Sequence, residues 1–437
     1  MMLIALAGCG VGGGEKDSAS KIAGCDIPEA SQKSGPIDGP IKGEITFETL
    51  GLKGAFKEFF TAQIKRFEDA HPAVKINWVD DTGGAEYITR LTTNVKVCKI
   101  PDVINTDIQG VSLLSGLDLA MDMGDRLPKV GDNYTPETWK AVVPPGKTGH
   151  VSLPWYTGYP SMLYNKDLMK KVGLSKVPTT YDEYFAALKT IAEKADGKFY
   201  GDWGSPQYML PDAFAARDVK IMNSAHTEFT FASDPAALDW LSNLADAYKA
   251  GAFPKDSITG DPNASEAFAA GKIVFGQAHS RTVRENAPDV YKVTGYARLM
   301  DDQGGGPLIS GQHITVPKTT KNPAAALAFA EFVTSTKEQE ALCSDNGVTA
   351  IPPMSILPAS AKCYTDPAYD ALERAGMAGH REAQQKAQYD PVVWFWNGAV
   401  SEAVVPQLQL AMQGKKSPQE ALQAAEDAAN KVIPKAP

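Results

Sequence analysis

From Glu44 to Ile104 the chain alternates strand, helix, strand, helix, strand. That order commits it to an α/β architecture. Glu44–Thr49 reads as a strand, and a helix follows over about Ala55–Ala70. In that helix Phe56, Phe59, Phe60, Ile64 and Phe67 recur on one face, while Lys57, Lys65, Arg66 and Glu68 lie largely off it. His71-Pro72 stops it, and Val74–Val79 is the next strand. A helix over Ala85–Val97 leads into a short buried strand at Ile100–Ile104. Val151–Trp155 and Ser161–Asn165 read as two further strands. Later helices are announced by caps: Thr180 with Glu183 as a capping box before Tyr184–Ala195, and Asp234-Pro235 before Ala236–Ala250. Asn322-Pro323 plays the same part before Ala324–Thr334, and Ser417-Pro418 before Gln419–Val432. Strand signals return only at Lys292–Leu299 and Gln312–Val316, and the last third is mostly helical. The distribution predicts two α/β lobes whose chain crosses between them more than once.

The N-terminus constrains where such a body resides. Leu6-Ala7-Gly8-Cys9 has the form cut at bacterial lipoprotein cleavage sites, with Cys9 supplying the thiol that is lipidated. Only Met1–Ala7 precede it, which reads as a truncated signal or else as an unprocessed apolar N-terminus. Gly10–Ser20 contains nothing apolar enough to pack and reads as a leash. Beyond the start no apolar run reaches the roughly 20 residues of a spanning helix. The 437-residue chain carries a net charge of −9 with its Lys and Arg scattered, which argues against nucleic acid as a partner.

Of the five cysteines, setting Cys9 aside leaves four. Cys343 and Cys363 bracket a proline-rich loop and form the first expected pair, with Cys25 and Cys98 as the second, clipping the leash to the body. Four cysteines allow three pairings, and free buried thiols are the alternative. The histidines stand far apart, without His-x-x-x-His or zinc-type cysteine spacing, so no metal or other cofactor is expected. No Gly-x-Ser-x-Gly, P-loop or dinucleotide fingerprint occurs.

A set of short motifs, in order, resembles the family 1 extracellular solute-binding proteins of ABC importers, the group that includes the maltose-binding protein. They are Phe67–Pro72, Pro101-Asp102-Val103, Leu153-Pro154-Trp155, Tyr164–Leu168, Val177–Glu183, Ala267–Lys272, Ile314–Pro317, Asn322–Val333 and Gly347–Pro353. The resemblance spans about residues 42–433. It implies a two-lobed, type II periplasmic-binding-protein-like fold, each lobe a mixed sheet flanked by helices, with the ligand in the cleft between. The expected division is a signal at 1–9, a tether at 10–41, an N-terminal lobe of 42–153 with 300–349, and a C-terminal lobe of 158–296 with 355–437. Crossings would fall near Leu153–Gly158, Tyr296–Leu299 and Val348–Met354. The implied function is that of a monomeric, extracytoplasmic, lipid-anchored receptor that closes on a carbohydrate and delivers it to permease subunits with their ATPase. No catalytic residue is expected.

A sugar offers apolar ring faces and a hydroxyl rim, so its site needs aromatic rings interleaved with carboxylates and amides. Trp155 and Tyr156 follow Pro154 on a crossing. Trp203 lies between Gly201 and Pro206, and Tyr208 follows that proline, where the family carries a stacking aromatic. In Trp394-Phe395-Trp396 the two indoles share a face if the segment is a strand, and one of them is expected at the ligand. Glu48 and Thr49 end the first strand, Asp80 (beside Asp81) ends the second, and Asp107 follows the third, the strand ends at which α/β folds present ligand residues. Gln277 and Arg281 follow the Phe-Ala-Ala-Gly-Lys motif, and Gln312 precedes His313 after a triple glycine. Arginine at 281 departs from the family's aromatic and leaves a charged or substituted sugar open. The rival readings are a secreted carbohydrate-active enzyme, since carboxylates are abundant enough for a glycosidase pair, and a surface lipoprotein without a transport role.

Overall fold

The computed structural model describes residues 20–84, 86–157, 162–204, 206–258, 264–276, 280–297, 300–302, 307–345 and 351–433, without side-chain placement for 20, 206–209, 281 and 282. Cys9, Gln277, the triple glycine at 304–306 and part of each expected crossing lie outside the described residues.

Two strands, β1 (Ser20–Ile22) and β2 (Cys25–Ile27), form an antiparallel ribbon near the N-terminus. The principal sheet contains β3 (Gly43–Leu50), β4 (Val74–Asp81), β5 (Val103–Thr106), β6 (Leu153–Tyr156) and β10 (Gln312–Thr315). Its order is β4-β3-β5-β10-β6. β3 runs parallel to β4 and β5, and the late strand β10 lies antiparallel between β5 and β6. A smaller antiparallel sheet of order β8-β7-β9 comes from β7 (Met162–Asn165), β8 (Phe275–Gly276) and β9 (Thr294–Ala297). Helices flank both sheets, giving two α/β lobes.

Packing on one face of β3 fixes the first lobe. Phe47 is fully buried against Phe329 at 5.0 Å and Trp155 at 6.3 Å, both edge-on. Helix Lys53–Ala70 brings Phe59, Phe60, Ile64 and Phe67 to the same core. Its expected apolar face holds, with Phe56 half-buried against the same core although φ −110° and ψ 20° kink the helix there. The second lobe packs helices Tyr181–Lys194, Pro235–Lys249, Gly398–Met412 and Pro418–Val432 around Trp240, Phe214 and Phe231.

The predicted caps meet different fates. Ser417 forms a complete capping box with Glu420, and Asp234 accepts from the Ala236 N–H. Thr180 accepts from the Glu183 N–H, but the Glu183 carboxylate turns to the Thr179 N–H instead of closing the box. Asn322 caps nothing with its side chain: its Nδ2 donates to the Glu44 carbonyl, tying a late helix to the first strand of the sheet.

The expected tether is shorter than 10–41. From Ser20 on, the chain is folded against the body: Ile27 is buried, Ser31 Oγ donates to the Thr320 carbonyl, and Arg126 Nη1 donates to the Lys33 carbonyl. Both expected disulfides are present, Cys25–Cys98 across 73 residues and Cys343–Cys363 across 20.

Beyond β6 the chain runs beside two other segments. The Thr157 N–H donates to the Pro352 carbonyl, the Met354 N–H to the Trp155 carbonyl, and Thr157 Oγ1 to the Ser310 carbonyl. Gly311 is needed at this junction, because a Cβ there would stand 2.7 Å from the Tyr156 carbonyl and 2.6 Å from Met354 Sδ.

Candidate functional site

Strand direction gathers the N-lobe candidates on one edge of the principal sheet. β3, β4 and β5 are parallel, so Glu48 to Leu50, Asp80 with Asp81, and Thr106 with Asp107 all fall at their carboxyl ends. β10 is antiparallel, so its first residue, Gln312, lies at the same edge, opposite Tyr156 of β6. Asn105 stitches the edge together, a residue the sequence reading passed over. Its Nδ2 donates to Gln312 Oε1 at 2.9 Å and its Oδ1 accepts from the Leu50 N–H at 3.2 Å. A lone asparagine in a short apolar strand carries no signal for that role.

Hydrogen bonding separates structural carboxylates from available ones. Asp80 accepts from Thr49 Oγ1 at 2.5 Å and from the Leu52 and Lys53 N–H groups at 3.1 Å. It therefore satisfies orphan donors at the start of helix Lys53–Ala70, which follows the strand beside its own. Thr49 is fully buried and also accepts from Trp78 Nε1, so the fold consumes both ends of its hydroxyl. Asp81 is gripped by Arg90 at 2.5 and 2.9 Å, which holds its carboxyl below the usual range. Asp107 caps helix Ile108–Gly116 through Oδ1 alone. Burial pushes its carboxyl up, against the pull of the Gly110 and Gln109 N–H groups. Glu48 accepts no hydrogen bond among the described residues, and its carboxyl is pushed up to about 7, first by burial and then by Asp81.

Asp107, Gln109, Ala141, Ile309, Gly311 and His313, with Val393 from far along the chain, line a cavity of about 190 Å³. The larger described cavity, about 340 Å³, lies away from this edge, under the N-terminal segment Ser31–Ser34.

The aromatic candidates divide sharply. Trp155 is 0% exposed, packed against Phe47, Phe60 and Tyr156, with Nε1 donating to the Val333 carbonyl at 3.2 Å. As placed it is a core residue and offers no face to a ligand, contrary to expectation. Tyr156 points the other way along the strand and is half-buried, with Asp80 close enough to help burial raise its hydroxyl. The Trp394–Trp396 segment is no strand: Asp390 caps a 3-10 turn over Pro391–Trp394. Trp394 is 2% exposed in the core. Trp396 leans edge-on against Phe229 at 5.7 Å and donates Nε1 to Ser401 Oγ. The residue of this segment that reaches the cavity is Val393.

In the second lobe Trp203 is half-buried, beside Asp202, whose Oδ1 accepts from the Trp203 N–H. Asp202 Oδ2 accepts from the Tyr184 hydroxyl at 2.7 Å, and burial pushes this carboxyl up to about 6. Gly204, at φ +71°, sets the turn, since a Cβ would stand 2.4 Å from the Phe253 ring. Tyr208 lies on helix Pro206–Ala216 and Arg281 on helix Ser280–Asn286, but their side chains are outside the description. Among the described residues no cluster of His, Cys, Asp and Glu could hold a metal ion, and no helix is long and apolar enough to cross a membrane.

Known proteins share this architecture. The diacetylchitobiose binding protein DasA of Streptomyces coelicolor is 25% identical over 362 residues, 79% of each chain. The sugar-binding protein MalE of Xanthomonas citri superposes with a TM-score of 0.72 at 20% identity, covering 89% of this chain and 97% of its own. The GacH receptor of Streptomyces glaucescens, solved without ligand and with acarbose, gives a TM-score of 0.69 at 23% identity, covering 90% and 98%. Residues 51–340 match the sequence profile described as bacterial extracellular solute-binding protein, and the chain belongs to that family.

Proposed function

We propose that the protein is the receptor of an ABC importer and binds a carbohydrate, a mono- or oligosaccharide or a sugar derivative, between its lobes. The observation that carries this reading is the sheet edge itself. Glu48, Asp107 and Gln312 keep polar atoms free of structural duty, and Tyr156 supplies a half-buried ring beside them. Carboxylate and amide groups can bridge neighbouring hydroxyls while a ring covers an apolar sugar face. The names of relatives that bind diacetylchitobiose and acarbose support the same class of ligand.

The lobes comprise 42–153 with 300–349, and 158–296 with 355–437; Trp203, Tyr208, Gln277 and Arg281 complete the site from the second. Closure follows if the ligand contacts both lobes at once and so binds the closed form better than the open one. Lipidation of Cys9 holds the monomer at the outer face of the membrane, and the closed form docks on permease subunits driven by their ATPase. The protein does no chemistry on its ligand. A thermal-shift screen of sugars, sugar phosphates and sugar-conjugated osmolytes tests the reading. A saturable rise in melting temperature with intact ligand recovered afterwards is expected; hydrolysed ligand would establish an enzyme instead.

A further inference from the structure

Glu48 is the anomaly of the sheet edge. The residue is 8% exposed, and among the described residues its carboxylate has neither a hydrogen-bond partner nor a cation within 4 Å. The groups around it give little relief, Arg90 alone among the charges named pulling its carboxyl down. From β4 come two more carboxylates, Asp80 and Asp81. The helix Tyr87–Lys96 brings Tyr87 and Arg90, and the guanidinium is spent on Asp81 and the Gly83 carbonyl. Beyond Tyr87, and facing it, the end of β5 brings Thr106 and Asp107. The Tyr87 hydroxyl and Thr106 Oγ1 are themselves buried without a well-formed hydrogen bond. An ionised carboxylate at this place would be a buried, unpaired anion facing others of its own sign, the arrangement folded proteins avoid by protonation.

We infer that Glu48 meets the ligand as a neutral acid, donating its proton in a hydrogen bond to a ligand oxygen, so that ligand affinity is linked to proton uptake. The inference rests on the carbohydrate reading. The balance is simple. Below the carboxyl's titration the proton is already present and binding is independent of pH. Above it, the free protein must take up one proton as the ligand enters, because seating a neutral ligand removes the last water from the group. Burial, Asp81 and Asp80 place that titration near 7, with Arg90 opposing. Affinity for an uncharged sugar then falls toward tenfold per pH unit at higher pH.

The test is calorimetric titration of the full chain with diacetylchitobiose and maltotriose, both uncharged, from pH 5.5 to 9. The wild type is expected to bind most tightly below about pH 6.5 and to lose affinity above 7.5 with a slope approaching one. Glu48→Gln, which donates a hydrogen bond but cannot ionise, is expected to be several-fold weaker at pH 6, flat throughout, and tighter than wild type at pH 9. Binding that is flat with pH in the wild type, or that strengthens with pH, overturns the inference and leaves the carbohydrate reading standing. Failure of these two and of every compound in the thermal-shift screen to bind refutes the carbohydrate reading and this inference with it. Carbon-13 titration of the Glu48 carboxyl in the ligand-free chain gives a check independent of any variant: a midpoint in the ordinary glutamate range overturns the inference.

Discussion

Replacing Trp155 by alanine separates a core residue from a ligand residue, and its neighbour provides the contrast. The Trp155 ring is wholly enclosed, with centroids at 5.0 Å from Tyr156, 5.8 Å from Phe60 and 6.3 Å from Phe47. Phe/Trp-to-Ala changes in such cores cost about 3–5 kcal/mol. The indole also donates to the Val333 carbonyl, and losing that partner adds about 1 kcal/mol. Trp155→Ala is therefore expected to lose about 4–6 kcal/mol in urea unfolding, read from the first-lobe transition if the lobes unfold separately. Tyr156→Ala, at a half-buried ring, is expected to lose less stability. Its sugar affinity should fall about a hundredfold, the equivalent of roughly 2–3 kcal/mol of stacked aromatic surface. Both variants are titrated with ligand at a temperature where each is folded. Trp155→Ala with stability within 1 kcal/mol of wild type and no ligand binding would refute the placement of this indole in the core.

Further predictions concern pH and covalent ties. The Glu48 carboxyl is raised from 4.5 to about 7, so the folded state holds more protons than the unfolded across that window, and the residue costs stability as pH climbs through it. Glu48→Gln should thus gain on wild type by up to about 3 kcal/mol between pH 4.5 and 7 in ligand-free unfolding, with no further gain above. His313 has the opposite sign: burial lowers its imidazole from 6.5 to about 4, so the neutral ring supports folding above pH 6.5 and that support is lost as pH falls toward 4. His313→Gln should weaken the acid-side fall in the unfolding free energy, and an unchanged acid limb contradicts the burial argument. Removing the Cys25–Cys98 bridge by Cys98→Ser opens a loop of 73 residues, an expected loss of about 4 kcal/mol, with Lys21 becoming trypsin-sensitive before the body unfolds.

How much of this was legible from the chain follows the range of the interactions. The strand and helix alternation of the first lobe was legible because periodicity is local, and Ser417 and Asp234 cap helices as their spacing implies. Phe56 joins the apolar face as its spacing implies, while the first turn of that helix is held by Asp80 from 27 and 28 residues away, beyond the reach of a local pattern. Adjacent Trp155 and Tyr156 had to face opposite sides of a strand, yet only the position of β6 beside β10 decides which side is core. The Trp394–Trp396 run reads alike as core or cleft by composition; Asp390 and Pro391, which bend it into a 3-10 turn, were the local signal available. Asn105 and Val393 gain their roles solely from what folds against them.

Small-angle X-ray scattering of the full chain, titrated with an oligosaccharide that raises its melting temperature, tests whether two lobes close on a sugar and leave it intact. A saturable decrease in the radius of gyration at one ligand per chain is expected, with the sugar recovered unchanged. A radius that stays constant at saturation, or a sugar recovered in pieces, would contradict that expectation.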